Sequence, residues 1–235
     1  PEQSRAFYSE TCIAMKSLST FYYHPKDSIH YVSNLYTRKL LGLPSNKTIY
    51  SCFQVFFKLL PEFDTVFLSI LQQDPNAILL LINSNQSSYL QSQLVTRFQE
   101  RFQQYIHRII ILPKQSILTF LGYIEQSDII LDSFPFGGCN SSLECFYLDK
   151  PIITLPSKHI NGRFTYGFYQ KMGVTDCIAT SLEHYIELAL LYGTNVEQRK
   201  EVIHKIKTNK MCLFNDTQSQ IEWEETIRKL VFKRK

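Results

Sequence analysis

From Thr48 onward the chain alternates short, unbroken apolar runs with longer stretches whose apolar residues recur at helical spacing. The runs Thr48 to Phe53, Ala77 to Ile82, Arg108 to Leu112, Asp128 to Leu131 and Pro151 to Leu155 are predicted strands. Their apolar residues are consecutive rather than alternate, the pattern of strands buried on both faces of a parallel sheet. Helices are predicted between them at 61–73, 88–106, 115–126, 141–148 and 164–172. In the first, Phe63, Val66, Phe67 and Ile70 recur at i, i+3, i+4 and i+7, and Pro61 suits an opening turn. A short strand at Cys177-Ile178-Ala179 and helices at 182–192, 196–208 and 217–232 complete the pattern. This alternation predicts an α/β fold, a Rossmann-like parallel sheet with helices on both faces. Residues 1–45 are irregular, a lead-in or linker with one short helix predicted from Thr37 to Leu43, and residues 46–235 form the domain.

Composition narrows the classes. Of 235 residues, 44% are hydrophobic and 20% charged, which excludes a disordered tail or a coiled coil. A net charge of +4 can attract phosphates but is too small for a nucleic-acid footprint. The longest apolar runs are far too short for a membrane span. Pro1-Glu2-Gln3-Ser4-Arg5 leads into no apolar leader segment, so a cytoplasmic protein is expected; the missing Met suggests processing or a piece of something longer. The 6 cysteines form no CxxC and no short Cys/His pairing, so neither a metal site nor a disulfide framework is expected.

In open α/β sheets, ligands bind beyond the carboxyl ends of the strands. Two loops there carry candidate chemistry. After the fourth strand, Gly137-Gly138 permits unusual backbone angles and close approach of a ligand, and Asn140, Ser141 and Ser142 open a helix. Such a start suits a phosphate or diphosphate. The same residues also fit an ordinary capping box, Ser141-x-x-Glu144, that needs no ligand. Glu144 lies one turn in and can accept from ribose hydroxyls. After the first strand, Lys58 follows Gln54, where an ammonium neutralises a diphosphate or simply faces water. A third loop, Ser157 to Thr165, is polar and basic: Arg163 suits phosphate, a helix-opening loop or a plain surface loop, and His159 suits a general base or solvent. No GxGxxG, Walker A, GxSxG or HExxH motif is present.

The segment Tyr50 to Asp64 resembles the opening of the C-terminal catalytic lobe of the O-GlcNAc transferase family, and looks most like its bacterial members. Ile130-Leu131-Asp132, Gly137 to Glu144, Lys150 to Pro156, Gly162 to Gly167 and Met172 to Asp176 continue the resemblance in order over roughly residues 20 to 232. It implies the C-terminal, nucleotide-sugar-binding lobe of a two-lobed GT-B glycosyltransferase. By that resemblance Gln54 and Lys58 face the diphosphate, and Asn140, Ser141 and Ser142 match the helix start that holds phosphate. Glu144 then matches an acidic residue at the ribose. Asn140 stands where the animal enzymes have His, and the basic residue those enzymes carry between the third and fourth strands has no clear match, since Lys114 is offset and Ile117 is nearer in register.

The function so implied is transfer of a sugar, N-acetylglucosamine by resemblance, from UDP to a protein Ser or Thr hydroxyl. Lys58 is the expected catalytic residue. Donor contacts are expected at Gln54, Lys58, Gly137, Gly138, Asn140, Ser141, Ser142, Glu144 and Arg163, with no metal or other cofactor. The implied partners are a UDP-sugar, a protein acceptor, an N-terminal lobe and tetratricopeptide repeats elsewhere in the parent chain. A non-catalytic nucleotide- or protein-binding module of the same fold, or a transferase using another sugar or an Asn acceptor, stands as the alternative.

Overall fold

Strands β1 (Thr48–Cys52), β2 (Ala77–Ile82), β3 (Ile109–Leu112), β4 (Ile129–Leu131) and β5 (Ile152–Ile153) form one parallel sheet in the order β3-β2-β1-β4-β5. The computed structural model describes residues 8–25, 31, 34–82 and 88–232. The β1–β2 register runs from Thr48↔Ala77 to Cys52↔Leu81, whereas β1 meets β4 only at Tyr50↔Ile129 and Ser51↔Ile130. Consecutive residues of β1, β2 and β4 are buried, so both faces of the sheet are covered, as the unbroken apolar runs require.

The helices are α1 (Asp64–Gln73), α2 (Ser88–Arg101), α3 (Ile117–Gln126), α4 (Asn140–Tyr147), α5 (Phe164–Met172), α6 (Leu182–Thr194), α7 (Val196–Asn209) and α8 (Thr217–Phe232). Helix α6 packs against α1 and over β1, β4 and β5. Tyr185 of α6 meets Phe63 edge-on at 6.1 Å and donates to the Asp132 carbonyl at 3.0 Å. The C-terminal end of β4 is therefore fixed from within the core.

Several boundaries differ from the expected ones. Helix α1 starts at Asp64 rather than Pro61, because Phe63 and Asp64 donate to the carbonyls of Leu60 and Pro61 in a tighter turn. Helix α2 stops at Arg101 rather than Ile106. Phe102 is fully buried against Phe98, and a 3-10 turn at Gln103–Arg108 follows. Arg108 opens no strand; its buried guanidinium donates to the carbonyls of Leu71 and Asp74. Thr37 to Leu43 is a hydrogen-bonded turn rather than a helix, ending at Gly42 with φ +69. The sixth expected strand is a single parallel bridge, Thr154↔Ile178.

The described lead-in runs along α8. The backbone N–H groups of Lys16 and Ser17 donate to the Glu222 carboxylate at 2.6 and 2.8 Å. Ser219 donates to the Leu18 carbonyl at 2.7 Å, and the Trp223 indole donates to that of Ser19 at 3.1 Å. No helix among the described residues is long and apolar enough to cross a membrane.

Candidate functional site

Pairing of β1 with β4 brings their outgoing loops together at the carboxyl edge of the sheet. Gln54 follows β1 by two residues, and Phe56–Lys58 then forms a 3-10 turn that folds Lys58 back over the edge. The Lys58 ammonium donates to Gln54 Oε1 at 2.9 Å and to the Gly137 carbonyl at 2.8 Å, and lies 4.0 Å above the Phe136 ring. Gln54 Nε2 in turn donates to Ser141 Oγ at 2.9 Å. The loops after β1 and β4 are thus tied through three side chains.

Two glycines make this approach possible. A Cβ on Gly138 would fall 2.5 Å from Ser142 Oγ and 2.7 Å from Gln54 Nε2, and one on Gly137 would fall 2.9 Å from Asp132 Oδ2. Neither has a positive φ, so the need is for space rather than for unusual backbone angles. Gly137 N also donates to the Asn161 carbonyl at 3.0 Å, which ties the Ser157 to Phe164 loop to the site.

Helix α4 starts on Cys139 and Asn140 without a side-chain cap. The capping-box alternative is therefore absent: the Ser141 hydroxyl faces Gln54, and the Ser142 hydroxyl shares a 2.8 Å hydrogen bond with Thr165 Oγ1. The first-turn N–H groups keep the positive end of the helix dipole open at the sheet edge.

Asp132, the residue after β4, organises the turn from below. Its carboxylate accepts from Gly138 N at 2.6 Å and from Thr154 Oγ1 at 2.9 Å, fully within the core. Burial pushes its carboxyl above the ordinary range, opposed by those donors and by the Lys58 charge. Burial also draws Lys58 below an ordinary lysine, with Asp132 pulling the other way. Glu144 is pushed up to about 7 by burial. Asp132 was not expected as a site residue, although an acid directly after a wholly apolar strand is a readable signal. Nothing in the spacing pointed to Thr154 or Thr165.

Gln54, Lys58, Gly137, Gly138, Ser141 and Ser142 form one cluster, with Asn140 exposed at its rim and Glu144 one turn along α4. Arg163 does not join the cluster through its side chain. It donates to the Ser157 carbonyl at 3.0 Å and stacks 4.7 Å from the Tyr166 ring, bracing its own loop. Only a small hollow of about 10 Å³ lies among Gln54, Asp132, Ser141 and Ser142, whereas larger ones of about 520 and 390 Å³ lie where residues 12–20 meet α8 and α5.

A five-stranded parallel sheet in this order with helices on both faces is the fold of one lobe of a GT-B glycosyltransferase. Residues 21–221 match the model of glycosyl transferase family 41, and the chain belongs to that family. It is 25% identical over 201 residues to an Arabidopsis thaliana protein named as a probable UDP-N-acetylglucosamine–peptide N-acetylglucosaminyltransferase, covering 82% of this chain and 19% of that protein. A Caenorhabditis elegans protein named as a UDP-N-acetylglucosamine–peptide N-acetylglucosaminyltransferase is 19% identical over 183 residues, covering 73% of this chain and 15% of the relative. The chain thus spans less than a fifth of the length of either relative. Among solved structures, the O-GlcNAc transferase of Thermobaculum terrenum superposes with a TM-score of 0.68 at 22% identity, over 79% of this chain and 36% of that one. A trehalose-6-phosphate synthase superposes at 0.62 and 14% identity, over 87% of this chain and 49% of its own. These structural likenesses concern the fold.

Proposed function

We propose that this chain is the donor-binding half of a UDP-sugar-dependent glycosyltransferase that moves a sugar, N-acetylglucosamine by kinship, to a protein Ser or Thr hydroxyl. The observation that carries this reading is the convergence of the Lys58 ammonium and the α4 start on one point, bridged by Gln54. An ammonium and uncapped helix N–H groups together suit a diphosphate.

In this reading the diphosphate oxygens replace Gln54 Oε1 and the Gly137 carbonyl as partners of Lys58. As the bond between the anomeric carbon and the diphosphate oxygen breaks, Lys58 and the α4 N–H groups stabilise the charge left on the departing UDP. They are in place before the reaction, which is what makes such stabilisation effective. An acceptor hydroxyl forms the new bond, and its proton passes to a base assigned to the other lobe. Gly137 and Gly138 admit the diphosphate, Asn140, Ser141 and Ser142 contact it, and Glu144 faces the ribose. Neutralisation by protein groups leaves no task for a metal in this scheme.

The remaining lobe and any repeats belong to the longer architecture of the relatives. A cytoplasmic setting fits the cysteines, all six of which are free thiols. Titration of the full-length protein with UDP, UDP-N-acetylglucosamine, UDP-glucose and GDP-sugars tests the reading. Tight binding of the first two is expected, and indifference to all uridine nucleotides would overturn it.

A further inference from the structure

Two aromatic rings stand exposed at the donor edge of the sheet. Phe57 is 48% exposed and Phe136 37%, with their centroids 6.2 Å apart in a tilted pair. Phe57 belongs to the 3-10 turn after β1, and Phe136 to the loop after β4, immediately before Gly137. Neither ring is part of the buried core, so core packing does not account for their place. Phe134 of the same loop shows the contrast. Its ring packs on Phe63 at 4.9 Å and on Tyr185 at 5.7 Å.

What Phe136 does meet is the Lys58 ammonium, 4.0 Å from its ring centroid. The negative face of an aromatic ring attracts a cation within about 6 Å, and more strongly where the cation is partly desolvated. Lys58 is half-buried. The backbone around Phe136 is fixed: the Ser133 hydroxyl donates to the Phe136 carbonyl at 2.7 Å, and the Gly137 carbonyl accepts from Lys58 at 2.8 Å. Ring and carbonyl thus approach the ammonium from adjacent residues.

These partners differ in kind. Gln54 Oε1 and the Gly137 carbonyl hold the ammonium through hydrogen bonds, for which incoming diphosphate oxygens compete. A ring face attracts the charge itself and leaves the N–H groups to turn toward a ligand. It can therefore hold Lys58 while the other two partners are exchanged.

We propose that Phe136 is a positioning residue for Lys58, its ring keeping the ammonium beside the α4 start before and after the diphosphate arrives. The inference rests on the donor reading above. It adds a residue that acts through Lys58 rather than on the nucleotide, with Phe57 backing its ring.

The test uses the full-length protein and measures dissociation constants for UDP. Wild type, Phe136→Leu and Phe136→Tyr are compared, each with Lys58 present and with Lys58→Ala. Leucine keeps an apolar side chain without a π face, and tyrosine keeps the ring. Phe136→Leu is expected to weaken UDP binding about three- to tenfold, and Phe136→Tyr to stay within about twofold of wild type. Once Lys58 is replaced, Phe136→Leu should cost nothing further, since two residues acting through one contact are not additive. An equal loss from Phe136→Leu with and without Lys58 would show that the ring packs its loop or touches the nucleotide, and overturns the proposal. So does unchanged UDP affinity in Phe136→Leu, or a Phe136→Tyr protein as weak as Phe136→Leu. Each of these outcomes leaves the donor reading intact. A wild-type protein that binds no UDP overturns both.

Discussion

Lys58 ends the 3-10 turn after β1 and Ser141 sits in the first turn of α4, 83 positions apart in the chain, and a single side chain joins them. Gln54 accepts from the Lys58 ammonium at 2.9 Å with its oxygen and donates to the Ser141 hydroxyl at 2.9 Å with its nitrogen. A side-chain amide can accept with its oxygen and donate with its nitrogen at the same time. The bridge exists because β1 and β4 are sheet neighbours, which sets the loops after them side by side.

Asp132 holds the glycine turn from beneath, so its removal is felt in stability before function. Asp132→Ala leaves Gly138 N and the Thr154 hydroxyl unpaired in the core. A loss of roughly 2–4 kcal/mol in urea unfolding is expected. A change below about 0.5 kcal/mol would show that the carboxylate does not hold the turn.

Gly138 has no room for a side chain. Gly138→Ala sets a methyl group against Ser142 Oγ at 2.5 Å and Gln54 Nε2 at 2.7 Å. Both neighbours must move, which separates Gln54 from Ser141. We expect a lower melting temperature, corresponding to about 1–3 kcal/mol, together with weaker UDP binding. Unaltered melting and binding would mean that the close approach is not needed.

Glu144 makes the ligand-free protein pH-sensitive. Its folded-state value of about 7 exceeds the ordinary 4.5, so the folded state keeps a proton that the unfolded chain releases. Stability from this group is therefore highest below the unfolded value and falls as pH rises toward the folded one. Glu144→Gln cannot ionise and should flatten the slope. Its advantage over the wild type should grow between about pH 5 and about pH 8 by no more than about 3 kcal/mol. Parallel stability curves for the two proteins would refute the burial-driven shift.

The sheet was legible because its strands are unbroken apolar runs between turn residues. Ala77 to Ile82, after Asp74-Pro75-Asn76, is a strand with the expected bounds, and Phe164–Met172 and Thr217–Phe232 are helices with theirs. What failed did so for tertiary reasons. Thr154 leaves β4 and pairs instead with the segment at Ile178, so the expected strand from Pro151 to Leu155 shortens to two residues. Arg108 looked like a strand start, but its guanidinium is needed under the carbonyls of Leu71 and Asp74. At the site, chain order alone set Lys58 and the α4 start at one sheet edge. The Gln54 bridge and the Asp132 support depend on side-chain geometry that no spacing expresses. Arg163 was expected at the donor from its place in a basic loop; its guanidinium donates to the Ser157 carbonyl of that loop, a partner that no spacing expresses.

Donor affinity of the full-length protein with and without the Lys58 ammonium tests the central claim most directly. If Lys58 neutralises the diphosphate, Lys58→Ala weakens UDP-sugar binding or turnover at least about tenfold, which corresponds to roughly 1.4 kcal/mol. Lys58→Arg should recover only part of it, since a planar fork does not reproduce a compact ammonium donating to Gln54 and Gly137. Wild-type affinity and turnover in the Lys58→Ala protein would contradict the account.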